Sequence, residues 1–110
     1  MGYVFFEILL TRDCVEDIHR PGDAEEATRF WMDQDPIKTH LERIPEADLR
    51  AYVEHGILYD DPERVALMDR DELELYTLWD LACSAGDSAG DSEQGYDEAG
   101  QIWGYAEAHY

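Results

Sequence analysis

A chain of 110 residues with 27 Asp and Glu against 8 Lys and Arg has a formal charge of -19. That sign excludes direct nucleic-acid binding, which needs a basic footprint to replace the counterions along the phosphates. The length bounds it to one domain with one modest core, while 45% hydrophobic residues, three Trp, seven Tyr and three Phe exclude a disordered acidic tail.

The chain opens "MGYVFFEILLTRD", an apolar run with an acid inside it and no basic segment before it. It reads as neither a signal peptide nor a membrane span, which makes a soluble, cytoplasmic protein the expectation. "YVFFEILLT" is rich in β-branched and aromatic residues and predicts a buried strand. A strand needs a partner, and the candidates are "GILY" (Gly56 to Tyr59) or a second copy of the chain, which would make a homodimer.

Helical signals follow. Asp23 with Glu26 three residues later has the spacing of a capping box. Asp35 stands before Pro36, and Asp61 before Pro62, each pair placing a proline at the first helical position. Pro45 starts a further segment in which Leu49, Tyr52 and Val53 share a face and Gly56 is placed to end it. Asp69 and Glu72 cap "DELELYTLWDLACSAG", whose Leu73, Leu75, Tyr76, Leu78, Trp79 and Leu81 cover so much circumference that it should be the central helix.

Residues 85–95 repeat an Ala-Gly-Asp-Ser unit and predict a flexible linker. Residues 96–110 resume a helical spacing through Ile102, Trp103, Ala106 and Tyr110, weakened by two glycines at about 1 kcal/mol each. The expected architecture is mainly α: a small helical domain with one or two short β-strands near the N-terminus. An acidic body spans residues 1–84, and a C-terminal helix docks on that body or on a partner. Trp103, Tyr105 and Tyr110 read as core, with a protein-contact surface as the other reading.

Catalytic and metal chemistry find no foothold. Cys14, Cys83, His19, His40 and His55 lack the tight paired spacing of a zinc site. The loop from Asp87 to Glu98 resembles a calcium loop in its acids but has Ala89 and Ser92 where a ligand and a glycine are required. No nucleophile elbow, phosphate loop or dinucleotide pattern occurs, so no cofactor and no enzymatic activity are expected.

Charge is the remaining signal. "LYDDPERVALMDRDELELYTLWD" (residues 58–80) concentrates Asp60, Asp61, Glu63, Asp69, Asp71, Glu72 and Glu74 around two helix starts. Helix caps account for some of these. The rest suggest rows of carboxylate facing a basic, nucleic-acid-binding protein, with Glu26 and Asp33, and Glu42 and Glu46, as further rows. In size and charge alone, the chain is similar to nucleic-acid-mimic inhibitors of phage anti-restriction and anti-CRISPR settings. The competing expectation is a halophile's cytosolic domain, whose acidity serves high salt; the scarcity of lysine, with Lys38 alone, suits it.

Overall fold

The computed structural model describes residues 1–20, 22–91 and 96–110. It is mainly helical. Strand β1 (Tyr3–Thr11) leads directly into α1 (Arg12–His19), followed by α2 (Ala24–Met32), α3 (Ile37–Arg43), α4 (Glu46–Tyr52), α5 (Pro62–Ala66), α6 (Arg70–Asp91) and β2 (Gln101–His109). The two strands form an antiparallel ribbon with Tyr3 opposite His109 and Thr11 opposite Gln101. The strand's partner is therefore the tail of the same chain, and neither "GILY" nor a second copy. Residues Val53–Ile57 form a single π-helical turn continuing α4, so Gly56 does not end that helix.

The ribbon's inner face is large on one strand and small on the other. Val4, Phe6, Ile8 and Leu10 point inward from β1, and Gly104, Ala106 and Ala108 from β2. The reason is close approach. A Cβ at Gly104 would lie 3.2 Å from Leu81 Cβ on α6 and 3.1 Å from Leu10 Cδ1. Gly104 admits α6 against the strand, and Ala106 and Ala108 continue the small, buried residues at every second position. They also disguise the strand, because Gly and Ala do not register as a hydrophobic stripe. The turn before β2 reinforces the choice. Asp97 Oδ1 accepts from the N–H of Ala99 and of Gln101, both at 2.9 Å, and Gly100 takes φ +73°, a left-handed conformation that favours glycine. The tail is thus a strand and not a docking helix, and Trp103, Tyr105 and Tyr110 are exposed, not core.

Helix α6 is central, as its apolar circumference predicts: Leu73, Leu75, Leu78, Leu81, Ala82 and Ala85 are all buried, and it packs on α1, α2, α4 and β2. It runs past the expected boundary, so residues 85–91 are helical and not a linker, and residues 92–95 lie outside the described part. The small residues have a packing purpose here too. A Cβ at Gly86 would stand 2.8 Å from His19 Cδ2 and 3.3 Å from Val15 Cγ1, so glycine lets α1 cross close to α6.

The caps are a mixed result. Asp61 accepts from Arg64 N–H (3.4 Å) with Pro62 in the first turn, and Asp69 accepts from Glu72 N–H (2.9 Å). Asp23 is the N-cap of α2 but makes no side-chain cap bond. Asp35 sits one residue outside the cap of α3 and accepts from the Thr39 hydroxyl (2.6 Å). No helix among the described residues is long and apolar enough to cross a membrane.

Candidate functional site

The corner joining α5 to α6 is built by arginines that turn inward. Arg50 reaches from α4 and donates to Val65 O (2.7 Å) and Met68 O (3.0 Å), tying down the end of α5 and the turn that follows. Arg70 donates to Leu41 O (2.9 Å) and Ile44 O (2.7 Å) at the end of α3, and its Nε pairs with Glu74 Oε1 at 3.0 Å. Arg64 lies over the Tyr76 ring and donates to its hydroxyl. Arg29, from α2, pairs with Asp71 (3.2 Å) and Glu25 (3.5 Å). Backbone carbonyls share Arg50 and Arg70 with Glu46 and Glu74, and the Tyr76 ring holds Arg64. Among the described residues these four cations pair with Glu25, Glu46, Asp71 and Glu74 and leave Asp60, Asp61, Glu63, Asp69 and Glu72 without an ion pair.

Six of the seven acids expected at the partner surface are exposed: Asp60, Asp61, Glu63, Asp69, Asp71 and Glu72. Glu74 is the exception. Its side chain retains 17% exposure in the Arg70 pair, and burial pushes its carboxyl above the usual range against the opposing pull of Arg70. Its spacing from Asp71 suggests one continuous row, but the helix turns it toward α3.

The structure gathers Asp69, Asp71 and Glu72 on the rim of a cleft of about 580 Å³ between α2 and α6, joined by Glu25, Arg29, Arg64, Tyr76 and Trp79. Asp60, Asp61 and Glu63 do not line it; they stand around the start of α5. Glu25 and Arg29 escaped sequence reasoning because they belong to another helix, and only the packing of α2 on α6 brings them there. Of the other acid rows, Glu46 is drawn toward Arg50 (3.5 Å) and Asp33 closes α2 as its C-cap.

The thiols and imidazoles are dispersed. Cys14 is buried, and burial together with Asp17's charge pushes its thiol up to about 12; Cys83 is also raised, chiefly by burial. Neither is a ready thiolate. His19 pairs with Asp87 (3.0 Å), His40 meets the Trp103 ring edge to face, and His55 stacks on Tyr110 with centroids 4.0 Å apart. Among the described residues no three His, Cys, Asp or Glu side chains are placed to hold a metal ion. The acidic stretch from Asp87 to Glu98 begins inside α6, and its residues 92–95 lie outside the described part.

Comparison with protein-family models, with curated proteins and with solved structures returned no match.

Proposed function

We propose that this chain is a non-enzymatic, acidic inhibitor that occupies the DNA- or RNA-binding groove of a larger basic protein in the cytoplasm. A phage-encoded block on restriction or CRISPR machinery is one such setting. The observation that carries this reading is the division of labour at the α5–α6 corner. Arg50 and Arg70 turn inward to backbone carbonyls and to Glu46 and Glu74, and Arg29 takes Asp71, while Asp60, Asp61, Glu63, Asp69 and Glu72 face solvent with no ion pair among the described residues. Acids three or four residues apart on a helix sit roughly 5–6 Å apart at Cβ, a close spacing for charges meant to engage a groove that tracks phosphates. Self-repulsion destabilises the compact state, and a recognition role gives that cost a purpose.

The cap acids complicate the test. Asp61 and Asp69 each hold a helix start, so reversal to lysine would damage the fold as well as the surface. Asparagine caps about as well as aspartate. The informative variant is therefore Asp61→Asn and Asp69→Asn with Asp60, Glu63, Asp71 and Glu72 changed to lysine. The assay is displacement of a fluorescent duplex of about 20 base pairs from a panel of basic DNA- and RNA-binding proteins. Displacement by the wild type should weaken steeply with salt and disappear in the variant. Equal displacement by the two would refute the assignment of this surface.

A second reading stays open on one observation: Lys38 is the sole lysine. A protein of high-salt cytosol would carry the same acidity with no partner, its surface repulsion screened by the solvent.

A further inference from the structure

The outward face of the ribbon sets two carboxylates among four large aromatic side chains. β1 presents Tyr3, Phe5, Glu7 and Leu9; β2 presents Trp103, Tyr105, Glu107 and His109. The register sets Phe5 opposite Glu107, and Glu7 opposite Tyr105. Each acid therefore has a ring directly across the strand, where Cβ atoms stand roughly 4.5–5.5 Å apart. Tyr3, Phe5, Trp103 and Tyr105 are 56, 47, 40 and 59% exposed, an unusual amount of bare aromatic surface for a chain this acidic. The face is also ordered. The Phe5 and Tyr105 rings stack at 6.1 Å, and the Tyr3 hydroxyl donates to Glu107 Oε2 at 3.0 Å, holding that carboxylate over the sheet. Neither lysine nor arginine lies on it; its imidazole, His109, stands 3.3 Å from Glu107 Oε1, so Glu7 is the carboxylate of this face without a partner among the described residues.

We infer that this face is a docking surface for a protein segment that presents arginines. Guanidinium is the group whose chemistry matches the pattern: it stacks flat on aromatic rings and offers a planar fork to carboxylate. A guanidinium lying on Phe5 or Tyr105 has Glu107 or Glu7 across the strand. Lysine's compact, strongly hydrated ammonium uses the charge but gains less from the rings. The ribbon, nine residues long, offers about 30 Å of track, enough for several arginines of an extended segment. A second copy of this chain is the wrong occupant. Face-to-face pairing would set Glu7 and Glu107 of one copy against those of the other, inside a screening length of about 8 Å at physiological salt, with a charge of -19 on each side. The surface lies apart from the α5–α6 corner and does not depend on its being a nucleic-acid mimic.

The test titrates the protein with nona-arginine and nona-lysine peptides of equal charge at about 0.15 M salt, following tryptophan fluorescence and amide shifts. The wild type should bind nona-arginine about fivefold to tenfold more tightly than nona-lysine, as expected for one or two exposed cation–π contacts, with the largest shifts in β1 and β2. Trp103→Ser with Tyr105→Ser should bring the two peptides together in the amide-shift titration, with a lowered but still cooperative circular-dichroism melt, since the variant loses the Trp103–His40 and Tyr105–Phe5 ring contacts and keeps the buried face of the ribbon. The α5–α6 charge variant should keep its arginine preference, so failure of one surface is separable from failure of the other. Equal affinity for both peptides, or a preference that survives in the ribbon variant, would overturn the inference. So would sedimentation showing a dimer that Tyr105→Ser dissolves.

Discussion

Replacing Arg70 by methionine probes the inward-turned arginines. Methionine keeps the aliphatic stem and removes the guanidinium, which donates to Leu41 O and Ile44 O and pairs with Glu74. Hydrogen bonds involving a charged group are worth about 1.5–3 kcal/mol each, and water can replace part of this because Arg70 is 34% exposed. A net loss of about 2–4 kcal/mol is expected, a large share of the roughly 5–15 kcal/mol that stabilises a domain. At about 4 °C per kcal/mol for this size, the melting temperature should fall by about 8–16 °C.

The pH dependence carries the sharper signature. Burial raises the Glu74 carboxyl above its ordinary 4.5, and Arg70 pulls it down. A carboxyl raised in the folded state contributes stability that is present below its unfolded value and lost as pH rises through the folded one. Without Arg70 the rise grows, and the ionised group stands unpaired. Damage should therefore be greatest near neutral pH and shrink as pH falls toward 4.5. Adding Glu74→Gln should remove that dependence. Melts followed by circular dichroism near pH 7 and pH 4.5 decide it. A loss below about 3 °C, or an equal loss at both pH values, would refute the clamp.

Three further outcomes follow from the core. Thr77 is fully buried and its hydroxyl has no partner among the described residues, so Thr77→Val should raise the melting temperature by about 4 °C, worth about 1 kcal/mol; a loss would mean the hydroxyl is bonded. Gly104→Val would drive a side chain into Leu81 and Leu10 and should cost about 1–3 kcal/mol in denaturant titration, whereas a neutral result would contradict the close α6–β2 contact. Alkaline stability should decline as pH climbs above about 9. Burial raises Cys14 from 9.0 to about 12, and burial with Asp80's hydrogen bond raises Tyr52 from 10.0, so the unfolded chain releases these protons first. Cys14→Ala should flatten the urea-midpoint slope between about pH 9 and 11, and an unchanged slope would count against the buried thiol.

The sequence announced what depends on local chemistry. Asp61 and Asp69 capped where their spacing from proline and Glu72 implied, and the apolar circumference of "LELYTLWDLA" marked the central helix correctly. It concealed what depends on two elements touching. Gly86, Gly104, Ala106 and Ala108 read as weak helix or linker because small residues are chosen by a neighbour's proximity, and that neighbour is distant in sequence. The same holds at the candidate surface. The acids around residues 60–72 are legible as a charge run, but their spacing reads Glu74 outward, because nothing local reveals that Arg70 swings toward Leu41 and Ile44. Glu25 and the aromatic ribbon face needed the tertiary register, since only the pairing of β1 with β2 sets Tyr105 beside Glu7.

The claim that the acidity serves recognition is tested most directly by a thermal melt followed by far-UV circular dichroism at about 0.1 M and then at several molar NaCl. Between about 0.1 M and 1 M salt the screening length falls from about 10 Å to 3 Å, turning surface repulsion from strong to negligible. The clamps by Arg50 and Arg70 and the single buried core predict a cooperative melt at 0.1 M, with only a modest gain at high salt. A chain unfolded at 0.1 M that folds only in molar salt would contradict the account and assign the charge to the solvent instead.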